Sequence, residues 1–188
     1  MSFENDITII KQLLENIGEH DHSTVQINVS KEVAEKVLAL GLSIPDDQLY
    51  EDDVTQGREL ESHITVKYGL ITEDADDVIK VISKETIKVK LGKVSLFESD
   101  DKEYDVVKID VESDQLHKMH KELSNLPNED ENNEYIPHMT VAYVKKGAGK
   151  QYEGKDDFDG IEFEVNEVTF KDKKGNSTII ELTKDKKE

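Results

Sequence analysis

Apolar residues along this chain keep two rhythms, one of period 3.6 and one of period 2, and they alternate in blocks. Phe3, Ile7, Ile10, Leu13, Leu14 and Ile17 recur at helical spacing and predict a helix over residues 3–17, with Gly18 as its stop. Val25, Ile27 and Val29 then alternate with polar neighbours, the pattern of a half-buried strand over residues 23–29. Ser30 is a good N-cap for "KEVAEKVLALGL", whose Val33, Val37, Leu38 and Leu40 share a side and which Gly41 closes. A long polar loop leads to a strand at "HITVKYGL", and Thr72 is the expected cap of a helix over "ITEDADDVIKVIS", with Glu73 and Asp74 at its positive end. "TIKVKLGKVSLF" and "EYDVVKIDV" are strands, and Ser113 or Asp114 opens a helix with Leu116, Met119, His120 and Leu123 on one side. After the acidic loop "PNEDENNEY" comes a strand at "HMTVAY". The glycine-containing loop "KKGAGKQYEG" follows, and "GIEFEVNEVTFKDKKGNSTIIELTK" reads as a closing hairpin around Gly175-Asn176.

Laid out this way, the chain repeats itself. "VQINV" at 25–29 and "VKIDV" at 107–111 are each followed by an amphipathic helix, a polar loop and a strand beginning His-x-Thr-Val with a Tyr two residues on. The two copies span about 23–70 and 104–145. They predict an α+β protein of two pseudo-symmetric lobes flanking a cleft, a single bilobal domain over 23–184. Residues 1–22 form a helical extension outside the repeat, and residues 185–188 a frayed tail.

The doubled motif carries chemistry. By strand parity His63, Thr65 and Lys67 share one face and Ile64, Val66 and Tyr68 the other, while His138, Thr140 and Ala142 oppose Met139, Val141 and Tyr143. One His-x-Thr in a strand means little, but two behind the same prelude set two imidazoles and two hydroxyls across one cleft. Transfer at a phosphodiester needs a base on the attacking oxygen and an acid on the leaving one. Two imidazoles supply both near neutral pH, and two hydroxyls can bond the non-bridging oxygens. No metal and no cofactor is called for, and which His is acid and which base stays open.

With "HITV" at 63–66 and "HMTV" at 138–141, the chain resembles the two-histidine (2H) phosphoesterases, the LigT-like superfamily. That resemblance implies a pseudo-two-fold fold with antiparallel sheets lining a central cleft and helices outside. It also implies His63 and His138 as the acid–base pair, with Thr65 and Thr140 as phosphate-binding hydroxyls. "HITVKYGL" preceded by "GREL" looks like the phage-associated branch, whose members destroy the cyclic oligonucleotide signals of bacterial CBASS immunity. The implied function is hydrolysis of a small nucleotide phosphodiester of that kind. A 2',3'-cyclic phosphodiesterase or 2'-5' RNA-end processing enzyme remains an alternative, as does a module that sequesters a nucleotide without cleaving it.

Charge narrows the partners. With 43 acidic residues against 24 basic ones and a net charge of −19, the chain repels a long nucleic acid but not a small phosphate ligand held by local donors. There is no cysteine, no apolar run of membrane-spanning length and no signal peptide, so a cytoplasmic protein is expected, in a host cytoplasm if phage-encoded. No membrane or protein partner is implied. The only arginine, Arg58, and also Lys67, Tyr135 and Lys145 are the candidate substrate-binding residues. Tyr50 and Phe97 are further candidates to stack on a base, Lys146 a lid cation, and Glu164 and Glu167 cleft-bordering carboxylates, whereas Tyr68 and Tyr143 belong by parity to the core. His20 with His22, and His117 with His120, lack a third ligand and read as ordinary surface or core-edge residues.

Overall fold

A computed structural model describes residues 21–51, 57–98, 100–129 and 134–182. The helix expected at 3–17, His20 and the tail at 185–188 lie outside the described residues.

The elements in order are strand β1 (Ser23–Asn28), helix α1 (Lys31–Ser43), β2 (His63–Leu70), α2 (Ala75–Val81), β3 (Ile87–Phe97), β4 (Tyr104–Glu112), α3 (Asp114–Leu123), β5 (His138–Lys145), β6 (Glu162–Val165), β7 (Glu167–Lys171) and β8 (Ser177–Glu181). The fold is α+β, with two antiparallel four-stranded sheets in the orders β2-β1-β7-β8 and β5-β4-β3-β6. Each sheet is built alike, with a His-x-Thr strand at one edge and the repeat's leading strand beside it. Ile27 and Ile64 in the first sheet, and Ile109 and Met139 in the second, are cross-strand partners with no exposed surface. Burial of each such side chain contributes about 1.5–3 kcal/mol.

The halves do not stand side by side but exchange parts. Helix α1, which follows β1, packs against β5, and α3, which follows β4, packs against β2. The segment leading into β2 bridges to β5 at Leu49–Val144 and Arg58–Ala142, while the segment leading into β5 bridges to β2 at Leu70–Asn128. Each His-x-Thr strand is therefore lined along its free edge by the other half, which satisfies backbone groups that an open edge would leave unpaired.

Several local expectations are corrected. Gly41 lies inside α1, which runs on to Ser43. A Cβ there would lie 3.5 Å from the Val141 carbonyl, so Gly41 serves the approach of the helix to β5. The cap of α2 is Asp74, which accepts from the Asp76 N–H, while Thr72 accepts from the Asp74 N–H one step outside the helix. Ser113 caps α3. β7 and β8 form the hairpin around Gly175, but "EFEV" leaves it. Asn166 separates β6, paired with β3 in the second sheet, from β7, paired with β1 in the first.

Candidate active site

The two leading strands hold the two His-x-Thr strands in the same register to the residue. Asn28 faces His63 and Gln26 faces Thr65. In the other half Asp110 faces His138 and Lys108 faces Thr140. Directly after each Thr the edge strand carries one extra residue, Val66 in β2 and Val141 in β5, because Gln26–Val25 spans Thr65–Lys67 and Lys108–Val107 spans Thr140–Ala142. Such a bulge reverses the alternation beyond it and re-aims the next side chains.

That reversal makes the cleft. A cavity of about 690 Å³ is lined by His63, Thr65, His138 and Thr140, and also by Tyr68 and Tyr143. Parity had put both tyrosines in the core; beyond the bulge Tyr68 is 53% exposed and Lys67 only 4%. The signal for them was in the sequence, a Tyr five residues after each His, but a strict period of 2 misreads it. Lys67 is part of the cleft lining, but the same reversal turns it from the His-Thr face and buries it.

Both imidazoles are held alike. His63 Nδ1 lies 2.6 Å from the Glu61 carbonyl and His138 Nδ1 lies 2.7 Å from the Ile136 carbonyl. A carbonyl only accepts, so each Nδ1 carries the proton and donates it. Nε2 is left as the reactive nitrogen, an acceptor when the ring is neutral and a donor when it is charged. Phe97 stands edge-on to His138 with ring centres 4.8 Å apart. The His138 pKa is lowered, first by burial and then by Lys108 and His63. The Ile136 carbonyl and Asp110 oppose that shift.

The other candidates divide. Tyr135 lines the cleft, but its hydroxyl donates to the Thr65 carbonyl (2.9 Å) and its ring stacks on His120 at 4.2 Å, so it braces the first His-x-Thr strand. Burial pushes the Tyr135 phenol up, which keeps that donor protonated. His120, from α3, bonds the Val66 carbonyl at the bulge through Nδ1 (2.7 Å).

Arg58 is engaged elsewhere. Nε donates to the Gly41 carbonyl (3.0 Å), and Nη2 to the Ile44 carbonyl and to Asp46 (2.6 Å). It clamps the carbonyl end of α1, where a cation is favoured. Lys145 donates to the Asp47 carbonyl (2.7 Å) and Lys146 to the carbonyls of Asp100 and Lys102, at the loop ends and not in the cleft. Tyr50 packs on Tyr104, which does line the cleft, and Phe97 lines it too. Glu164 and Glu167 pair across strands with Lys88 and Glu181, away from the site. His22 meets Glu129 through Nε2 (2.9 Å), and His117 packs edge-on to Tyr135. Among the described residues no group of three or more His, Asp or Glu is arranged to hold a metal ion, and no helix is long and apolar enough to cross a membrane.

A sequence profile of the 2'-5' RNA ligase superfamily matches residues 50–176, a span that contains both His-x-Thr strands. No curated protein matches the chain in sequence. Among solved structures, the fold is similar to a protein described as a phosphoesterase (TM-score 0.57, 13% identity, covering 88% of this chain and 97% of that one). It is similar to Escherichia coli LigT complexed with 3'-AMP (0.57, 12% identity, 86% and 95%). It is also similar to Usb1 of Kluyveromyces marxianus (0.52, 9% identity, 87% and 99%).

Proposed function

This chain belongs to the 2'-5' RNA ligase superfamily and is a phosphodiesterase, and from that premise we propose that it hydrolyses a small nucleotide phosphodiester, a cyclic oligonucleotide immune signal foremost. The observation that carries the reading is the pair of imidazoles, each with Nδ1 tied to the carbonyl two residues before it, Nε2 left for the cleft, and a Thr hydroxyl two residues on.

In the proposed reaction one Nε2 takes the proton of the attacking oxygen while the Nε2–H of the other protonates the leaving oxygen. Thr65 and Thr140 donate to the non-bridging oxygens as charge builds on them. Where a 2'-OH adjoins the scissile linkage it is the nucleophile, and a 2',3'-cyclic phosphate forms first. Apart from the attacking and leaving oxygens, every role in that sequence is taken by a protein group, so the reading makes turnover insensitive to chelation.

The cleft volume falls within the range of small-ligand sites, and aromatic side chains border it from both halves, Tyr68 from one and Phe97, Tyr104 and Tyr143 from the other. A ring with bases on either side of the scissile phosphate suits that arrangement, and the net charge of −19 opposes long nucleic acid. A second reading, processing of short RNA ends, draws support from the mononucleotides named with two structural neighbours, 3'-AMP with Escherichia coli LigT and uridine monophosphate with Kluyveromyces marxianus Usb1.

Incubation in EDTA with cyclic di- and trinucleotides, a 2',3'-cyclic mononucleotide, a 2'-5' dinucleotide and 2'-deoxy counterparts tests this. Cleavage of a cyclic oligonucleotide, with its 2'-deoxy form resistant, is the expected result. Turnover of only the mononucleotide or the 2'-5' linkage selects the second reading. Retention of a nucleotide with no turnover points to a sequestering module and sinks both.

A further inference from the structure

The two halves of the cleft agree in the groups that react and differ in the floor beneath them. Under His63 the floor is neutral: Gln26 donates to Asn28 (3.1 Å), which donates to Thr169 (3.1 Å) on β7. Under His138 the corresponding positions hold Lys108, Asp110 and Ser95. The Lys108 ammonium bonds both Asp110 and the Ser95 hydroxyl (2.7 Å), and Ser95 donates to Asp110 (2.6 Å). Gly92 on β3 leaves room for this, since a Cβ there would lie 3.1 Å from that of Asp110. The difference is visible as "VQINV" against "VKIDV". Amides satisfy the same register in the first half, so the fold alone does not require a buried ammonium, which is costly to desolvate, or the half-exposed carboxylate that pairs with it.

We propose that the Lys108–Asp110 pair divides the labour between two otherwise equivalent imidazoles, making His138 the general base and leaving His63 the general acid in the bond-breaking step. The assignment rests on the phosphodiesterase reading above. Lys108 is 4% exposed and its ammonium lies 4.4 Å from the centre of the Phe97 ring, which also meets His138 edge-on. A fixed cation behind an apolar ring disfavours a second positive charge on His138, and burial of His138 acts in the same sense. Asp110, directly across from His138, works the other way. Its carboxylate is already occupied by Lys108 and Ser95, whose bonds outweigh burial and hold its pKa below the usual range. From β3 the uncharged Ser95 and Phe97 approach. The remaining ionisable groups are His63 across the cleft and, along its walls, Glu59, Lys67, Lys102, His120, Glu134 and tyrosines.

The step then runs in one direction. Neutral His138 takes the proton of the attacking hydroxyl at Nε2 as the new O–P bond forms. The bond from phosphorus to the leaving oxygen breaks, and that oxygen receives the Nε2 proton of charged His63. The step ends with His138 charged and His63 neutral. When water opens the cyclic phosphate, His63 takes the proton and His138 returns one, which restores both. Lys108 and Asp110 touch no reacting atom and are positioning residues.

Two measurements test this. In the first, the imidazoles of the substrate-free protein are titrated by NMR in the wild type, Lys108→Gln, Asp110→Asn and the double variant, whose floor copies that of the first half. His138 is expected to titrate below an ordinary imidazole. Lys108→Gln should raise His138 by about half a unit or more and Asp110→Asn lower it, with Lys108→Arg restoring the wild-type value. The acidic limb of the kcat/KM profile, set by deprotonation of the base, should move the same way in each variant. A structural role for the pair would lower rates without these opposed shifts.

The second uses a substrate with sulphur in place of the leaving oxygen, which departs without a proton. It should restore His63→Ala by about 10²-fold or more and leave His138→Ala unrescued. Rescue of His138→Ala, or His138 titrating at or above an ordinary imidazole, overturns the assignment. The titration needs no substrate and tests the effect of the pair on His138 separately from the phosphodiesterase reading, which fails only if the wild type cleaves nothing.

Discussion

His138→Ala is expected to lower kcat by about 10³-fold, with a much smaller change in KM. The ring is held by one backbone bond to Ile136 and the edge of Phe97, so its loss removes a proton carrier and leaves the strand partner Asp110 and the Thr140 hydroxyl in place. His63→Ala should cost a similar factor, since each turnover needs both a donor and an acceptor of protons. The double variant should be little worse than either single one, because removing one member of a concerted pair already forfeits most of what the other supplies. Steady-state rates on the best substrate found in the panel, with folding checked by circular dichroism, are the measurement. A His138→Ala protein retaining a tenth of wild-type kcat would remove that residue from the chemistry.

Thr140→Val and Thr65→Val come next, each with an expected loss of about 10²-fold, carried by kcat. Valine keeps the branched shape that suits a strand and removes only the hydroxyl, so register and bulge should survive. If the hydroxyls act where charge grows on phosphate oxygens, the loss belongs to the transition state. A rise in KM at constant kcat would mean that they merely hold the ground state, and would contradict the role given to them.

Particular residues show how far the sequence could be read. The alternation of Val25 and Ile27, or Val107 and Ile109, is local and identifies the strands by itself. The doubled His-x-Thr was legible because two copies checked each other. Tyr68 and Tyr143 were misassigned because the extra residue opposite Gln26–Val25 and Lys108–Val107 is a property of the strand pair, and neither strand records it alone. Arg58 looked like a phosphate ligand for its rarity in an acidic chain, yet the free carbonyls at the end of α1 engage it first. The split at Asn166 was hidden for a related reason. "EFEVNEVTF" does shift phase, from Phe163 and Val165 to Val168 and Phe170, but neither piece records which distant strand it will meet.

The exchange of parts between the halves has a consequence for synthesis. β3, β4 and β5 follow one another in the chain, so most of the second sheet can form as they emerge. β1 lies inside the first sheet, between β2 and a strand about 140 residues further on, which at roughly 5–20 residues per second reaches it some 7–30 s later. Until then the His63 strand is braced on one side by a neighbour whose other edge is bare, and a nascent chain would need shielding there from its own kind. On this view catalysis arrives last and all at once. Stalled nascent chains should be cut readily by protease in β1 and β2 before residue 171 has left the ribosome and resist afterwards, whereas early protection of β1 would speak against that order.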